Sequence, residues 1–212
     1  GSTVPFGCFQ TLGDLWIDFN KTTGYKNYYR DLDLINGVAT VSYEQDGVSY
    51  KREIFASYPD KVLVMRLSAS KPGSISFTMG MDRPERFTTT ALTNRVSMSG
   101  VMNNGAGGDG MQYTVEAVPV LKGGKLSVKG NTLQVNRADE VTLIISSATN
   151  YRLHYPDYVN PGYKTELANT LAAATGKPYA QLRKDHVADF SSFMNRIMLR
   201  LGDHAQAQTP TD

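Results

Sequence analysis

Acidic side chains are the first candidates for chemistry here, because two carboxyl groups can act as general acid and base in glycoside hydrolysis. The candidates are Asp14, Asp18, Asp31, Asp33, Glu44, Glu53, Asp82, Glu85 and Glu116. Asp14 and Asp18 lie two pleats apart on one face of a predicted strand, which places their α-carbons ~13 Å apart. This exceeds the carboxyl separation that either glycosidase class uses. A solvated sheet face is the better interpretation of these two acids.

Other catalytic signatures are missing from the sequence, which has no Gly-x-Ser-x-Gly elbow, no His-Glu-x-x-His and no P-loop. The three histidines are far apart. His186 falls on a helical stripe of apolar residues, which predicts a packed or hydrogen-bonded structural histidine. His204 lies in a polar tail and is expected to be solvated. His154 lies in an aromatic loop and remains a candidate contact residue.

The glycine-rich segment Asn103–Gly110 resembles a phosphate cradle only in its glycine content. It lacks the Lys-Ser/Thr ending and precedes a predicted strand rather than a helix, so it is a weak nucleotide site. We interpret it as a mobile loop between strands, one that could reach a partner domain.

Tyrosines cluster in two loop-like segments, and such side chains favour sugar sites and protein interfaces because they join a flat apolar ring to a polar edge. The two clusters are Tyr25, Tyr28 and Tyr29, and Tyr151, Tyr155, Tyr158 and Tyr163. Interdomain or core packing and sugar stacking both remain open. The candidate sugar or interdomain contacts are Trp16, Tyr151, His154, Tyr155 and Tyr158. No residue is assigned as catalytic, cofactor-binding or metal-binding.

The composition is that of a soluble globular domain, with 212 residues of which 41% are hydrophobic and 20% charged. A net charge of +2 without a basic run argues against a nucleic-acid or membrane-surface partner. The single cysteine, Cys8, excludes an intrachain disulfide and a multi-cysteine zinc site. No apolar run approaches the ~20 residues of a membrane span.

Alternating apolar and polar residues with frequent turn signals predict a mainly β, antiparallel sandwich. Asp46-Gly47 between two alternating runs predicts a two-residue hairpin. Ser74–Met81 should turn Ile75, Phe77, Met79 and Met81 inward. The predicted strands are Leu12–Phe19, Val38–Gln45, Val48–Ala56, Lys61–Ala69, Ser74–Met81, Met111–Leu121, Lys125–Lys129, Thr132–Val135 and Val141–Ser147. Those at Lys61–Ala69 and Val141–Ser147 read as central strands.

The pattern changes after Ala148, where an aromatic loop, Asn150–Lys164, leads into two predicted helices. The first covers Thr165–Thr175, and the second runs from Pro178 to Leu201 with Gly202 just past its end. One face of the second helix carries an apolar stripe, formed by Tyr179, Leu182, His186, Phe190, Phe193, Ile197 and Leu201. We therefore divide the chain into a β-sandwich domain (1–149), an aromatic loop with a helical linker (150–202) and a polar lead (203–212).

Several of these segments, taken in order, resemble the N-terminal domain of glycoside hydrolase family ninety-five, the α-L-fucosidase family. They are Thr11–Phe19 (TLGDLWIDF), Tyr29–Tyr43, Asp46–Gly73, Ala138–Tyr151 and Asp185–Gly202 (DHVADFSSFMNRIMLRLG). The resemblance implies an antiparallel β-supersandwich with C-terminal linker helices leading to an (α/α)₆ catalytic barrel. It also implies that leading strands of the domain precede Gly1 and that the barrel follows Asp212.

By this resemblance the parent enzyme hydrolyses terminal α-L-fucosides with inversion and without a metal or organic cofactor. Its general acid and its water-activating groups lie in the barrel, so none can be assigned to this chain, and the fragment alone is expected to be inactive. The implied partners are the chain's own barrel and fucosylated glycans, and the implied location is periplasmic or extracellular. An α-L-galactosidase-type parent, a carbohydrate-binding module and a stand-alone structural or adhesion protein are the alternatives.

Overall fold

The computed structural model describes residues 10–19, 23–197 and 202. Within these residues the chain forms twelve strands followed by two helices. The strands are β1 (Asp14–Asp18), β2 (Lys26–Asp33), β3 (Val38–Gln45), β4 (Val48–Ser57), β5 (Val62–Ala69), β6 (Ile75–Asp82), β7 (Thr88–Leu92), β8 (Arg95–Asn103), β9 (Asp109–Lys122), β10 (Lys125–Lys129), β11 (Thr132–Ala138) and β12 (Glu140–Thr149). The helices are α1 (Tyr163–Thr175) and α2 (Tyr179–Met194).

The strands form two antiparallel sheets that face each other. One sheet has four strands in the order β1-β6-β11-β10, and the other has eight in the order β2-β3-β4-β5-β12-β9-β8-β7. Every neighbouring pair is antiparallel. The predicted mainly β, antiparallel sandwich with helices after it is therefore confirmed.

The main core lies between the two sheets and follows the period of two that the sequence shows. Ile75, Phe77, Met79 and Met81 on β6 all lie inward, with at most 3% of each exposed. They meet the inward side chains of β8, β9 and β12 across the sandwich. Burying an apolar side chain of this size contributes about 1.5–3 kcal/mol, so this core supplies much of the stability of the sandwich.

A second core lies on the other face of the eight-stranded sheet, where the two helices pack. Leu167 and Leu171 on α1 and Leu182 on α2 are buried against Val64 and Ile144, among others. The middle of this sheet is thus covered on both faces. This coverage is why β5 and β12 are apolar on both sides, and both occupy the central positions predicted for them.

Turn chemistry fixes the best-predicted hairpin. Asp46 and Gly47 have φ angles of 54° and 70°, which is what a two-residue turn with both central residues left-handed requires. The register then pairs Gln45 with Val48 at the end of the β3–β4 ladder. The predicted hairpin is confirmed.

The sequence prediction was incomplete at three strands and at the end of the second helix. It placed Tyr25, Tyr28 and Tyr29 in a loop, whereas Tyr28 and Tyr29 lie on β2, and it had no strand at β7 or β8. Helix α2 ends at Met194, earlier than the predicted Leu201. Residues 198–201 and 203–212, including His204 and the predicted polar lead, lie outside the described residues.

Candidate functional site

The best-shielded carboxylates are tied to cations rather than set opposite one another as an acid and base. Arg66 donates from Nη2 to Glu140 Oε2 at 2.6 Å and lies 3.5 Å from Glu53 Oε2. Arg95 Nη1 lies 2.9 Å from Glu116 Oε2. These three carboxylates are therefore engaged in ion pairs with arginine. Asp14 and Asp18 lie on the exposed face of edge strand β1, as predicted.

His186 is the structural histidine that the helical stripe predicts. It is only 4% exposed, and its ring stacks on Phe55 with centroids 4.7 Å apart. Its Nε2 lies 3.0 Å from the Gly37 carbonyl oxygen, which joins α2 to the turn before β3. This ring is therefore used in packing and in a hydrogen bond that holds α2 in place.

Within Asn103–Gly110, residues 104–108 connect two antiparallel strands, β8 and β9, as predicted, so no helix N-terminus follows them. Asn104 Oδ1 accepts hydrogen bonds from the backbone N–H groups of Ala106 and Gly108 at 2.8 and 3.0 Å. Within the described residues, no group of three or more histidine, cysteine or acidic side chains is placed to hold a metal ion.

The structure brings three of the five predicted contact residues together. Tyr151 and Tyr158 are parallel to within 2° with ring centroids 6.2 Å apart, and Tyr155 meets Tyr158 edge-on at 6.5 Å. We call Tyr151–Val159 the tyrosine loop. His154 belongs to the same loop and is exposed.

Trp16 belongs to a different surface. It lies on the outer face of the four-stranded sheet, opposite Gly80 in the register, and its indole crosses the space where a side chain at 80 would stand. The prediction that Trp16 shares a face with Asp14 and Asp18 is confirmed by the exposure pattern of β1. Any joint site of Trp16 with the tyrosine loop would need a ligand that spans two faces.

The other tyrosine cluster forms a row across β2, β3 and β4. Tyr25 contacts Tyr28 at 5.5 Å and Tyr43 at 6.3 Å, and Tyr43 stacks on Tyr50 at 5.2 Å. Tyr50 is 7% exposed. Much of this row therefore packs against itself, and its inner end is core.

A polar cluster lies where α2 begins over the outer face of the large sheet. The Arg66 guanidinium lies 4.6 Å above the Tyr179 ring while it pairs with Glu140. A groove of about 170 Å³ opens beside it between β9, β12 and the start of α2, lined by Val120, Lys122, Glu140, Thr142, Pro178 and Tyr179. The Tyr179 hydroxyl and Arg66 Nε are buried without a hydrogen-bond partner among the described residues.

Burial, and then the nearby Glu53 carboxylate, raises the pKa of Tyr179 to about 12, against the opposing effect of Arg66. The phenol therefore stays protonated at neutral pH. The cluster is best understood as a clamp that holds the first turn of α2 to the sheet, because an aromatic ring beneath a guanidinium adds about 0.5–2 kcal/mol.

Comparison with known proteins identifies the domain. A family model for the glycosyl hydrolase family 65 N-terminal domain matches residues 2–154. The chain belongs to this family. The family number differs from the ninety-five that the sequence motifs suggested, while the broader assignment to the N-terminal domain of a glycoside hydrolase is confirmed. The motifs lie on strands and on α2, so they report the fold rather than the sugar.

Curated relatives of this family 65 N-terminal domain carry fucosidase names. The chain is 28% identical to "Alpha-L-fucosidase 2" of Arabidopsis thaliana, over 98% of this chain and 28% of that protein. It is 28% identical to "Probable alpha-fucosidase A" of Aspergillus niger, over 100% of this chain and 28% of that protein. The chain thus spans less than a third of the relatives it matches.

A solved structure shares the fold. It is named "Putative kojibiose phosphorylase from human microbiome" and aligns with a TM-score of 0.53 at 11% identity. The alignment covers 84% of this chain and 27% of that protein. At this identity the likeness speaks for the architecture of the family 65 N-terminal domain and leaves the substrate open.

The raised pKa of Tyr179 gives a pH-dependent contribution to stability. The folded domain holds the phenol proton more tightly than the unfolded chain, so this contribution is present below about pH 10 and is lost as pH rises towards 12. Because the side chain is only half-buried, we expect a loss of about 1 kcal/mol rather than the full value of the shift. Urea unfolding between about pH 9 and 11.5 should show that the free energy of unfolding falls less steeply with pH for Tyr179→Phe than for the wild type.

Tyr58→Phe is the control for this measurement, because it removes an exposed phenol and so reports the general effect of such a change. The other ionisable groups are the same in the wild type and in Tyr179→Phe. The readout is therefore the difference between the two proteins in the slope of unfolding free energy against pH. Equal slopes for the wild type and Tyr179→Phe would show that this phenol makes no contribution.

Proposed function

We propose that this chain is the non-catalytic N-terminal domain of an α-L-fucosidase-like glycoside hydrolase, in which it supports a catalytic (α/α)₆ barrel. The observation that carries the proposal is that, among the described residues, the shielded carboxylates of Glu53, Glu116 and Glu140 are paired with arginines rather than arranged as an acid–base pair. The relatives of this domain are nevertheless named fucosidases. Inverting hydrolysis needs two carboxyl groups about 6.5–9.5 Å apart with room for water between them. Those groups would lie in another part of the parent protein.

The share of each relative that this chain matches also supports a catalytic region outside this domain. The alignments cover 28–30% of each fucosidase relative, so most of each relative lies outside the matched region. The specific parent activity, hydrolysis of terminal α-L-fucosides as in family ninety-five, rests on these names and on the ordered motifs. The same grounds favour a periplasmic or extracellular parent that acts on fucosylated glycans.

An apolar patch on the linker helix supports contact with a further domain. Phe193, Met194 and Ile197, at and just after the end of α2, are 59%, 44% and 86% exposed. Ser191 donates to the Ile35 carbonyl oxygen at 3.2 Å, which brings the exposed side chains of Leu34 and Ile35 alongside. Contiguous exposed apolar surface of this kind marks interaction sites. We propose that the barrel covers this patch.

The proposal predicts that this chain alone has no hydrolase activity on nitrophenyl α-L-fucoside, whereas the parent protein cleaves it. The measurement is nitrophenol release by equal molar amounts of the two proteins, with nitrophenyl α-L-galactoside in parallel. A parent that prefers the galactoside would replace the fucosidase assignment with the α-L-galactosidase one.

Two catalytic controls make this test decisive. Asp14→Asn and Asp18→Asn, made in this chain, alter the exposed acids of β1 without disturbing the core. Activity that follows this chain through purification and disappears in either variant would overturn the non-catalytic assignment. A parent that cleaves neither glycoside would overturn the proposed reaction.

A further inference from the structure

The tyrosine loop exposes an unusual amount of aromatic surface for a connection between a strand and a helix. Tyr151, Tyr155 and Tyr158 are 52%, 83% and 44% exposed, and their rings are within contact of one another. Leu153, in the same loop, is 85% exposed. Aromatic surface of this extent is costly to leave in water and so indicates a ligand.

The loop is held in shape by its own contacts. Tyr151 and Val159 form a β-bridge, and the Arg152 N–H donates to the Tyr158 carbonyl at 2.9 Å. Arg152 and Asp157 form an ion pair across the loop, and Asp157 Oδ1 also accepts the Val159 N–H at 3.0 Å. This N–H, and then Arg152, lowers the pKa of Asp157, so the brace is intact at neutral pH.

The base of the loop is fixed to the sheet. Asn150 Oδ1 accepts the Gln112 N–H of β9 at 2.8 Å, and the Asn150 N–H donates back to the Gln112 carbonyl at 3.1 Å. At the other end, Asn160 Nδ2 donates to the Glu166 carboxylate in the first turn of α1 at 3.0 Å. The rings are therefore presented by a preorganised loop, which lowers the entropy cost of binding.

We propose that the tyrosine loop is a non-catalytic sugar-binding site, in which the exposed ring of Tyr155 stacks on the apolar face of a pyranose ring and Tyr158, set edge-on to Tyr155, contacts the edge of the same sugar. Aspartate is depleted at protein interfaces, whereas here Asp157 lies between Tyr155 and Tyr158 in the loop. Flat rings interleaved with hydrogen-bonding groups suit a ligand that has one apolar face and a rim of hydroxyl groups. The choice of α-L-fucose as the preferred sugar rests on the proposed function; the site itself does not.

Calorimetry and NMR titration of this chain test the site, with L-fucose, methyl α-L-fucoside, an α-L-fucosylated trisaccharide and D-glucose as probes. We expect saturable binding with a millimolar Kd that is tighter for the fucosides than for glucose. Tyr155→Ala and Tyr158→Ala should each weaken it about tenfold, which corresponds to the loss of one aromatic contact. Tyr58→Ala is the matched control, because Tyr58 is 81% exposed on the turn between β4 and β5, outside the loop.

Three outcomes would overturn the site. They are the absence of saturable binding to any probe, binding that Tyr155→Ala and Tyr158→Ala leave unchanged, and binding that Tyr58→Ala weakens equally. A protein–protein role is recognised when no probe binds and the two loop variants, but not Tyr58→Ala, lower the Tm of the parent protein. Activity of the parent on nitrophenyl α-L-fucoside is measured separately. A negative binding result would therefore leave the proposed function unaffected, and an inactive parent would leave the sugar-binding site unaffected.

Discussion

Replacing Leu182 by alanine should lower the free energy of unfolding of this domain by about 2–5 kcal/mol, the usual cost of emptying a fully buried leucine site. Leu182 is 0% exposed and packs in the same core as Phe55 and Leu171. It is the main apolar anchor of α2, since the other buried residue of that helix is His186. Urea unfolding followed by circular dichroism measures the change, with the slope m as the check on two-state behaviour.

Phe193→Ala is the matched control on the same helix. Its side chain is 59% exposed, so its loss should cost well under 1 kcal/mol in this chain. In the parent protein the stability cost of Phe193→Ala should rise if the barrel covers Phe193, because the side chain is then buried. Equal destabilisation by Leu182→Ala and Phe193→Ala in this chain would contradict the position of α2 on the sheet.

Local patterning was enough to predict much of the sandwich. On β6 the strict alternation of Ile75, Phe77 and Met79 with small polar residues has one good solution, a strand with one face buried. Asp46-Gly47 similarly has few alternatives to a tight hairpin. In such segments the local preference and the tertiary environment agree, so the sequence determines both the element and its inward face.

The missed strands are those in which local and tertiary signals differ. All but the last residue of β2 are exposed, so the strand carries little apolar alternation, and pairing with β3 is what makes it a strand. On β8 the inward Val96 and Met98 are followed by Gly100, which weakens the pattern. Pairing with the neighbouring strand supplies these elements, and the apolar pattern of the strand alone does not reveal it.

The candidate site also includes features that the sequence predicted and features that it missed. The sequence placed Tyr151, Tyr155 and Tyr158 in one aromatic loop, and their proximity in sequence became proximity in space. Trp16 was grouped with them by residue type alone, and the fold separates it onto the smaller sheet. The clamp between Arg66 and Tyr179 was not foreseen, because it joins residues 113 positions apart and depends on where α2 lies over the sheet.

Gly100→Ala should destabilise the domain by about 3 kcal/mol or more, at or above the upper end of the cost of overpacking. A Cβ at Gly100 would lie 2.0 Å from the Arg86 carbonyl oxygen and 2.6 Å from the Tyr113 hydroxyl. The Arg86 oxygen is backbone and cannot swing aside. The Tyr113 hydroxyl donates to that same oxygen at 2.9 Å, so the new methyl group would wedge into an existing hydrogen bond.

Tyr113→Phe separates the clash from the lost hydrogen bond. Tyr113 is 2% exposed, and removal of its hydroxyl leaves the Arg86 carbonyl without this donor, at a cost of about 1–3 kcal/mol. If Gly100→Ala breaks the same bond, the double variant should lose less stability than the sum of the two single losses. Gly24→Ala is the control, because a Cβ there meets nothing within 4 Å and its effect should be near zero.

The Gly100 cycle also tests how the tyrosine loop is positioned. Tyr113 pairs with Thr149 at the end of β12, immediately before the loop, so the Arg86–Tyr113 corner supports the base from which the loop projects. Amide hydrogen exchange of residues 150–160 should therefore accelerate in Gly100→Ala and stay at the wild-type rate in Gly24→Ala. Strictly additive losses of stability in the double variant, together with unchanged exchange in the loop, would show that the glycine and the tyrosine act independently and that the corner does not support the loop.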